Sequence, residues 1–159
     1  MISKLTFHSI PHARSQKVIP GLTVIPVIDR NSLIDMVTTF ETENLFEPAG
    51  GYGPGIDFYC SQRFKDLENF FFGRNDPGVI DEGKIWLLGC SGCGELGCWP
   101  LICSVSTAGN TVVWDRFHQP HRPQRDYSQF GAFTFTLDQY CAVLQELHTN
   151  LQSLDEAKP

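Results

Sequence analysis

Residues 84–117, KIWLLGCSGCGELGCWPLICSVSTAGNTVVWDRF, decide the fold of this 159-residue chain. Three apolar runs, at 84–90, 98–106 and 111–117, are separated by two turns that contain glycine. Apolar runs of this length bounded by turn residues are typical of β-strands, and the short turn TAGN before the third run fits a hairpin. The stretch therefore predicts an antiparallel β-meander over about 84–117.

Helical periodicity lies on both sides of the meander. Apolar residues recur at helical spacing over about 32–43, 62–72 and 137–152, and this repeat predicts an amphipathic helix in each range. Thr136 and Gln139 have the spacing of a capping box at the start of the last helix. Helices that flank an antiparallel sheet give an α+β fold, which is the predicted class.

The length of the chain is that of one domain, so residues 1–159 are expected to form a single domain with its own core. The N-terminal segment, which carries His8 and His12 around a proline, is predicted to be a frayed loop, and the tail DEAKP is also predicted to fray. Residues 22–28, LTVIPVI, predict a strand. Pro26 within it indicates an edge or a bulge, because proline has no N–H to donate.

Composition excludes several classes of function. Hydrophobic residues make up 42% of the chain and charged residues 19%, which is typical of a globular protein and not of a disordered one. The formal net charge of −6 disfavours a nucleic-acid partner, because phosphate contacts need clustered lysine and arginine. No apolar run approaches the roughly 18–20 residues that span a bilayer, and the N-terminus lacks a signal-peptide pattern. We therefore expect a cytoplasmic protein that binds neither nucleic acid nor membrane.

The most unusual feature is a cysteine-rich turn at 89–103, which holds four of the six cysteines. Cys90, Cys93 and Cys98 have the spacing C-x2-C-x4-C. Two thiolates two residues apart can reach one metal ion from a tight turn, and the glycines beside them free the backbone to curl around it. Zinc is the metal that this ligand set favours. Cys103 falls within the second strand and is predicted to face the core.

Tetrahedral zinc needs a fourth ligand, for which His118 and His121 are the candidates and His121 is the preferred one. In a meander the end of the third strand lies near the start of the second, where Cys98 stands, so a histidine just after the third strand can complete a Cys3His site. Three alternatives stay open for the same thiols: reduced cysteines that pack the turn, redox or nucleophilic chemistry, and disulfides.

Other residues carry weaker patterns. Glu95, at the tip of the turn, is a candidate general acid or base beside a catalytic metal. Residues 47–57, EPAGGYGPGID, contain four glycines and two prolines and are predicted to be a flexible or lid-like loop. The loop after the third strand is predicted to present Arg122, Arg125 and Tyr127 to a partner. Three further side chains are interpreted as packed in the fold: Cys60, Cys141 and His148.

Three segments, LLGCSGCGELGCWPL (87–101), VVWDRFHQPHRP (112–123) and DYSQFGAFTFTLDQY (126–140), resemble a group of uncharacterised bacterial proteins. The likeness lies in a glycine–cysteine turn that ends in GCWPL, a strand that contains tryptophan, and a QPHRP motif. The turn of the group often has one residue fewer between its first two cysteines, so CSGC departs from it. The resemblance implies one local unit and no known activity; its members are Cys90 or Cys93, Cys98, Trp99, Pro120, His121 and Arg122.

Two functions are compatible with these patterns. The first is a small cytosolic binding or interaction protein with a zinc-binding cysteine turn, whose partner is an unidentified protein or small molecule. The second is a zinc- or thiol-dependent enzyme, hydrolase-like, that uses the turn, Glu95 and His121. Whether the chain is an enzyme stays open, because no set of nucleophile, base and orienting group can be recognised.

Overall fold

The computed structural model describes residues 1–12, 19–93 and 98–156, and it has the α+β fold that the sequence predicts. Within these ranges, three helices accompany nine strands in two antiparallel sheets. The strands are β1 (Leu5–His12), β2 (Gly21–Ile28), β3 (Asn31–Ser32), β4 (Tyr52–Pro54), β5 (Ile56–Tyr59), β6 (Lys84–Cys90), β7 (Leu101–Ala108), β8 (Thr111–His118) and β9 (Phe133–Thr136). The helices are α1 (Leu33–Glu43), α2 (Phe64–Phe71) and α3 (Leu137–Glu156).

The predicted meander forms the centre of the five-stranded sheet. The strand order is β4-β6-β7-β8-β9, so β4 and β9 are added at the two edges of the meander. Leu88 pairs with Leu101 at the end of the β6–β7 hairpin, and Val105 pairs with Trp114 between β7 and β8. The pairing of Leu88 with Leu101 brings the two ends of the cysteine turn together.

The second sheet is centred on β2, so β2 as a whole is not an edge strand, but Pro26 lies where one side of β2 is locally unpaired, which is the edge-like setting expected for a proline. β1 pairs along one side of β2, while β3 and β5 pair with two separate parts of the other side. Val24 pairs with Ile56 of β5 and Val27 pairs with Ser32 of β3, which leaves Pro26 in the gap between the two partners. A proline is accommodated there because one side of the strand has no ladder bond to lose.

The N-terminal segment is a strand, so the prediction of a frayed loop around His8 and His12 is wrong. β1 pairs with β2 over its whole length, from Leu5 opposite Ile28 onward. The side chain of Gln139 then binds both backbone groups of Leu5, accepting from its N–H at 3.1 Å and donating to its carbonyl at 2.5 Å. β1 therefore joins the second sheet to the start of α3.

The helices lie close to their predicted ranges. α1 and α2 fall within 32–43 and 62–72, whereas α3 continues beyond 152 to Glu156. The Oγ1 atom of Thr136 accepts the Gln139 N–H at 3.2 Å, which is one half of the predicted capping box. Residues 157–159 of the tail lie outside the described residues. No helix in the described ranges is long and apolar enough to cross a membrane.

The core is built from both sheets and all three helices. Tyr140 of α3 stands at its centre, where its hydroxyl donates to the Phe71 carbonyl at 2.5 Å and accepts from Trp114 Nε1 at 3.1 Å. Cys103 is fully buried, as predicted, and burial raises the pKa of its thiol well above the usual value. His148 is also buried, and its ring packs against that of Phe64.

Candidate metal centre

Three cysteines of the turn lie close together, as their spacing predicts. Cys90 is the last residue of β6 and Cys98 stands three residues before β7. The Sγ atoms of Cys90, Cys93 and Cys98 all lie within 4.8 Å of one another. Zinc–sulfur bonds of about 2.3 Å in a tetrahedron place sulfur atoms about 3.8 Å apart, so a small contraction of this thiol group closes it on an ion.

Backbone amides stabilise the thiolate form of Cys90. The N–H of Gly92 donates to Cys90 Sγ at 3.4 Å. The pKa of Cys90 is lowered to about 7, first by the backbone N–H of Cys93, then by that of Gly92, and then by the neighbouring thiols. The pKa of Cys98 is raised to about 11, first because its thiol is hydrogen-bonded to Cys90. The thiolate is the metal-binding form of cysteine. The lowered pKa of Cys90 favours this form near neutral pH.

The carbonyls of Gly50 and Gly51 hold both flanks of the cysteine turn. Gly51 O accepts the N–H of Ser91, directly after Cys90, at 3.0 Å. Gly50 O accepts the indole N–H of Trp99, directly after Cys98, at 2.9 Å. Both glycines have positive φ, 75° and 83°, a conformation that other residues rarely adopt. We call these two carbonyls the glycine clamp.

The segment that follows the clamp is paired into the two sheets, so the prediction of a flexible or lid-like loop over 47–57 is wrong. Residues Tyr52–Pro54 form β4, which pairs with β6, and the segment from Ile56 forms β5. A side chain at Gly55 would come within 2.6 Å of the Leu88 backbone, so this segment lies directly against β6.

A buried carboxylate on α1 supports the clamp. Glu41 is 0% exposed, and its Oε1 accepts the N–H of Gly50 at 2.8 Å. Its Oε2 accepts from the hydroxyls of Tyr52 at 2.7 Å and Tyr127 at 2.6 Å. Arg125 Nη1 lies 3.3 Å from the same oxygen. Burial raises the pKa of both tyrosines, and their hydrogen bonds to Glu41 act in the same direction.

Glu41 is not among the predicted site residues, although the sequence contains a signal for it. Glu41 continues the spacing of Leu33 and Val37, and these three are the buried residues of α1. A carboxylate on the apolar stripe of a helix must be paired inside the protein, because burial of an unpaired charge is very costly. Its partners come from the segment at Gly50 and Tyr52 and from the loop after β8, and they cannot be identified from the helix alone.

The prediction that the loop after β8 presents three side chains to a partner is wrong for two of them. Arg125 and Tyr127 are buried and directed to Glu41. Arg125 also donates from Nη2 to the Pro48 carbonyl at 2.6 Å. Arg122 is half-buried, with its guanidinium 4.8 Å from the centre of the Trp99 ring. Arg122 thus stays accessible beside the cysteine turn.

His121 is not part of the thiol group. Among the described residues, one compact group of potential metal-ligand atoms is found, and it consists of the three cysteines. The backbone N–H of His121 donates to Gln119 Oε1 at 2.8 Å, and its side chain is exposed. Glu95, the predicted acid or base, lies outside the described residues.

Known proteins give no guide to this site. No family model, curated protein or solved structure matches the chain. The likeness to uncharacterised bacterial proteins therefore stays a prediction, and function has to be inferred from the chemistry of the site.

The arrangement can bind a thiophilic cation. Three thiol sulfurs converge at the surface, and within the described ranges none of the three is part of a disulfide. Thiolates select soft or borderline ions such as Zn²⁺ and Cu⁺. The amides that donate to Cys90 also fix the orientation of this ligand, as outer hydrogen bonds do in metal sites. The thiol group thus offers three potential ligand atoms, one of which is already oriented by backbone hydrogen bonds.

Proposed function

We propose that this protein is a small binding protein whose cysteine turn is closed by one Zn²⁺ ion. The observation that carries the proposal is the convergence of Cys90, Cys93 and Cys98 within 4.8 Å. Zn²⁺ replaces the thiol protons and joins β6 to β7 at a point where the backbone is otherwise held by the glycine clamp. Such a link makes the exposed turn a rigid surface that a protein or small-molecule partner can recognise.

The proposed fourth ligand is His121. Arg122, the next residue, stacks on Trp99, and Trp99 directly follows Cys98. This contact keeps the 119–122 segment beside the turn, so a change of side-chain rotamer is the kind of movement that would complete a Cys3His site. Of the three residues predicted to contact a partner, Arg122 is the one that we still propose in that role.

Metal analysis and titration test this proposal. Purified protein is expected to contain one zinc per chain, and its Co²⁺ form is expected to show thiolate-to-cobalt charge transfer. Cys93→Ser should weaken zinc binding at least about tenfold, because one of three thiolates is lost. Cys141→Ser is the matched control, since Cys141 lies on α3 and is not part of the thiol group. Equal affinities of the two variants, or no thiolate band, would contradict the proposal.

A zinc- or thiol-dependent enzyme is the second candidate function. The observation that favours it is that the compact group supplies three ligands, because catalytic zinc sites keep the fourth position for water or substrate. His121→Ala separates the two candidates. Loss of zinc affinity supports the closed site, whereas unchanged affinity together with hydrolysis of an activated ester supports the enzyme.

A further inference from the structure

A cavity of about 310 Å³ lies between β5, α2 and β6, and no described residue of the cysteine turn lines it. Its apolar wall is aromatic and includes Phe70 and Trp86. Its polar groups are amides and carboxylates, and among the described residues no lysine or arginine lines it. The polar lining residues are Asp57, Gln62, Asp66, Asn69 and Asn75.

Backbone contacts fix which end of each amide is free. Gln62 Oε1 accepts the N–H of Tyr59 at 2.8 Å, so its Nε2 is left as a donor. Asn75 Nδ2 donates to the Phe70 and Lys84 carbonyls, both at 3.4 Å, so its Oδ1 is left as an acceptor. These assignments follow from the partners, because a carbonyl requires a donor and an N–H requires an acceptor.

The two carboxylates are held in a similar way. Asp57 Oδ1 accepts from Thr23 Oγ1 at 2.6 Å and lies 3.2 Å from His12 Nε2, which leaves Oδ2 as an acceptor. Asp66 Oδ2 accepts the Arg63 N–H at 2.8 Å, and this bond lowers the pKa of Asp66. Asn69, also at the cavity, makes no side-chain hydrogen bond within the described ranges and offers both a donor and an acceptor.

Two contacts hold the aromatic wall in place. Trp86 Nε1 donates to the Gly55 carbonyl at 3.1 Å, and the indole meets the Phe70 ring edge-on at 5.0 Å. Trp86 is half-buried, so part of its ring stays accessible to a ligand. An aromatic surface that is already held in place packs the C–H face of a ligand at little entropic cost.

We propose that this cavity binds a neutral saccharide of one or two rings. Each sugar hydroxyl both donates and accepts, which matches a lining that mixes the Gln62 and Asn69 donors with carboxylate and amide acceptors. Anions are disfavoured by Asp57 and Asp66. An ammonium group donates only and would leave the Gln62 donor unpaired. The volume is at the small end of ligand pockets, which suits one or two rings. This proposal does not depend on the zinc site.

Calorimetric titration with glucose, galactose, mannose, N-acetylglucosamine, maltose and cellobiose tests the proposal. At least one sugar is expected to bind with a Kd of about 1 mM or tighter. Asn69→Ala should weaken this binding about tenfold, because it removes polar contacts to the ligand without removing a hydrogen bond of the fold. Asn150→Ala, at an exposed asparagine of α3, is the matched control and should bind like the unchanged protein.

Fluorescence locates the bound sugar. The sugar-induced change in emission should vanish in Trp86→Phe and persist in Trp99→Phe. Chelation of zinc should leave the sugar affinity unchanged, so failure of one proposal does not affect the other. The saccharide proposal is overturned if no sugar in the panel binds, if Asn69→Ala binds as well as the unchanged protein, or if spermidine binds the cavity in preference to every sugar.

Discussion

Replacement of Glu41 by glutamine should destabilise the protein strongly, because it leaves a buried guanidinium without its counter-ion. The side chains of Arg125 and Glu41 are 4% and 0% exposed, so neither reaches water. Removal of one partner of a buried ion pair costs about 3–5 kcal/mol. For a chain of this size each kcal/mol lowers the melting temperature by roughly 2–4 °C. We therefore expect a fall in Tm of about 6–20 °C.

Urea unfolding followed by circular dichroism gives the free energies directly. Glu43→Gln is the matched control, because Glu43 lies two residues further along the same helix and is exposed. Its effect should stay within about 0.5 kcal/mol. The double variant with Glu41→Gln and Arg125→Met should be more stable than Glu41→Gln alone, since no unpaired charge then remains.

Two results would refute this reasoning about Glu41. The first is a loss of less than about 1 kcal/mol in Glu41→Gln, which is the effect of an average substitution. The second is a double variant no more stable than the single one, because the cost would then not come from the stranded charge of Arg125. Either result would mean that the ion pair between Glu41 and Arg125 does not carry the stability assigned to it.

Two further predictions concern the turn itself. In metal-free protein at about pH 8, iodoacetamide should modify Cys90 before Cys98, because only a thiol whose pKa lies below the pH is mostly thiolate. Peptide mapping after short pulses at several pH values checks the order, and earlier labelling of Cys98 would contradict it. Trp99→Phe loses the indole bond to the clamp and should cost about 1 kcal/mol and several-fold in zinc affinity. Trp86→Phe, which loses an indole–carbonyl bond elsewhere, is expected to cost similar stability without changing zinc affinity.

The parts of the fold that could be predicted are those that local pattern determines. The meander follows from apolar runs and turns that are neighbours in sequence, and α1 follows from its helical repeat. The thiol group could also be predicted, because the hairpin between β6 and β7 is enough to bring Cys90, Cys93 and Cys98 together. In each case the residues that contact one another are close in sequence, so the local pattern is enough to predict the structure.

The parts that could not be predicted depend on distant partners. β1 contains Pro11, which argues against a strand, yet it pairs with β2 and is fixed at Leu5 by Gln139. Arg125 and Tyr127 lie in a loop rich in proline and charge, which is typical of a surface. They are buried because Glu41, on a helix near the other end of the chain, supplies the acceptor.

The glycine clamp also has a consequence for biosynthesis. Trp99 and Gly50 are 49 positions apart in sequence, Arg125 and Pro48 are 77 apart, and Tyr127 and Glu41 are 86 apart. Contacts of such long range form late, because long stretches of chain must be ordered before they close. The clamp and its support from Glu41 and Tyr127 are therefore complete only after residue 127 has left the ribosome. Under the zinc proposal, the metal ion would therefore bind Cys90, Cys93 and Cys98 only after most of the protein has been translated.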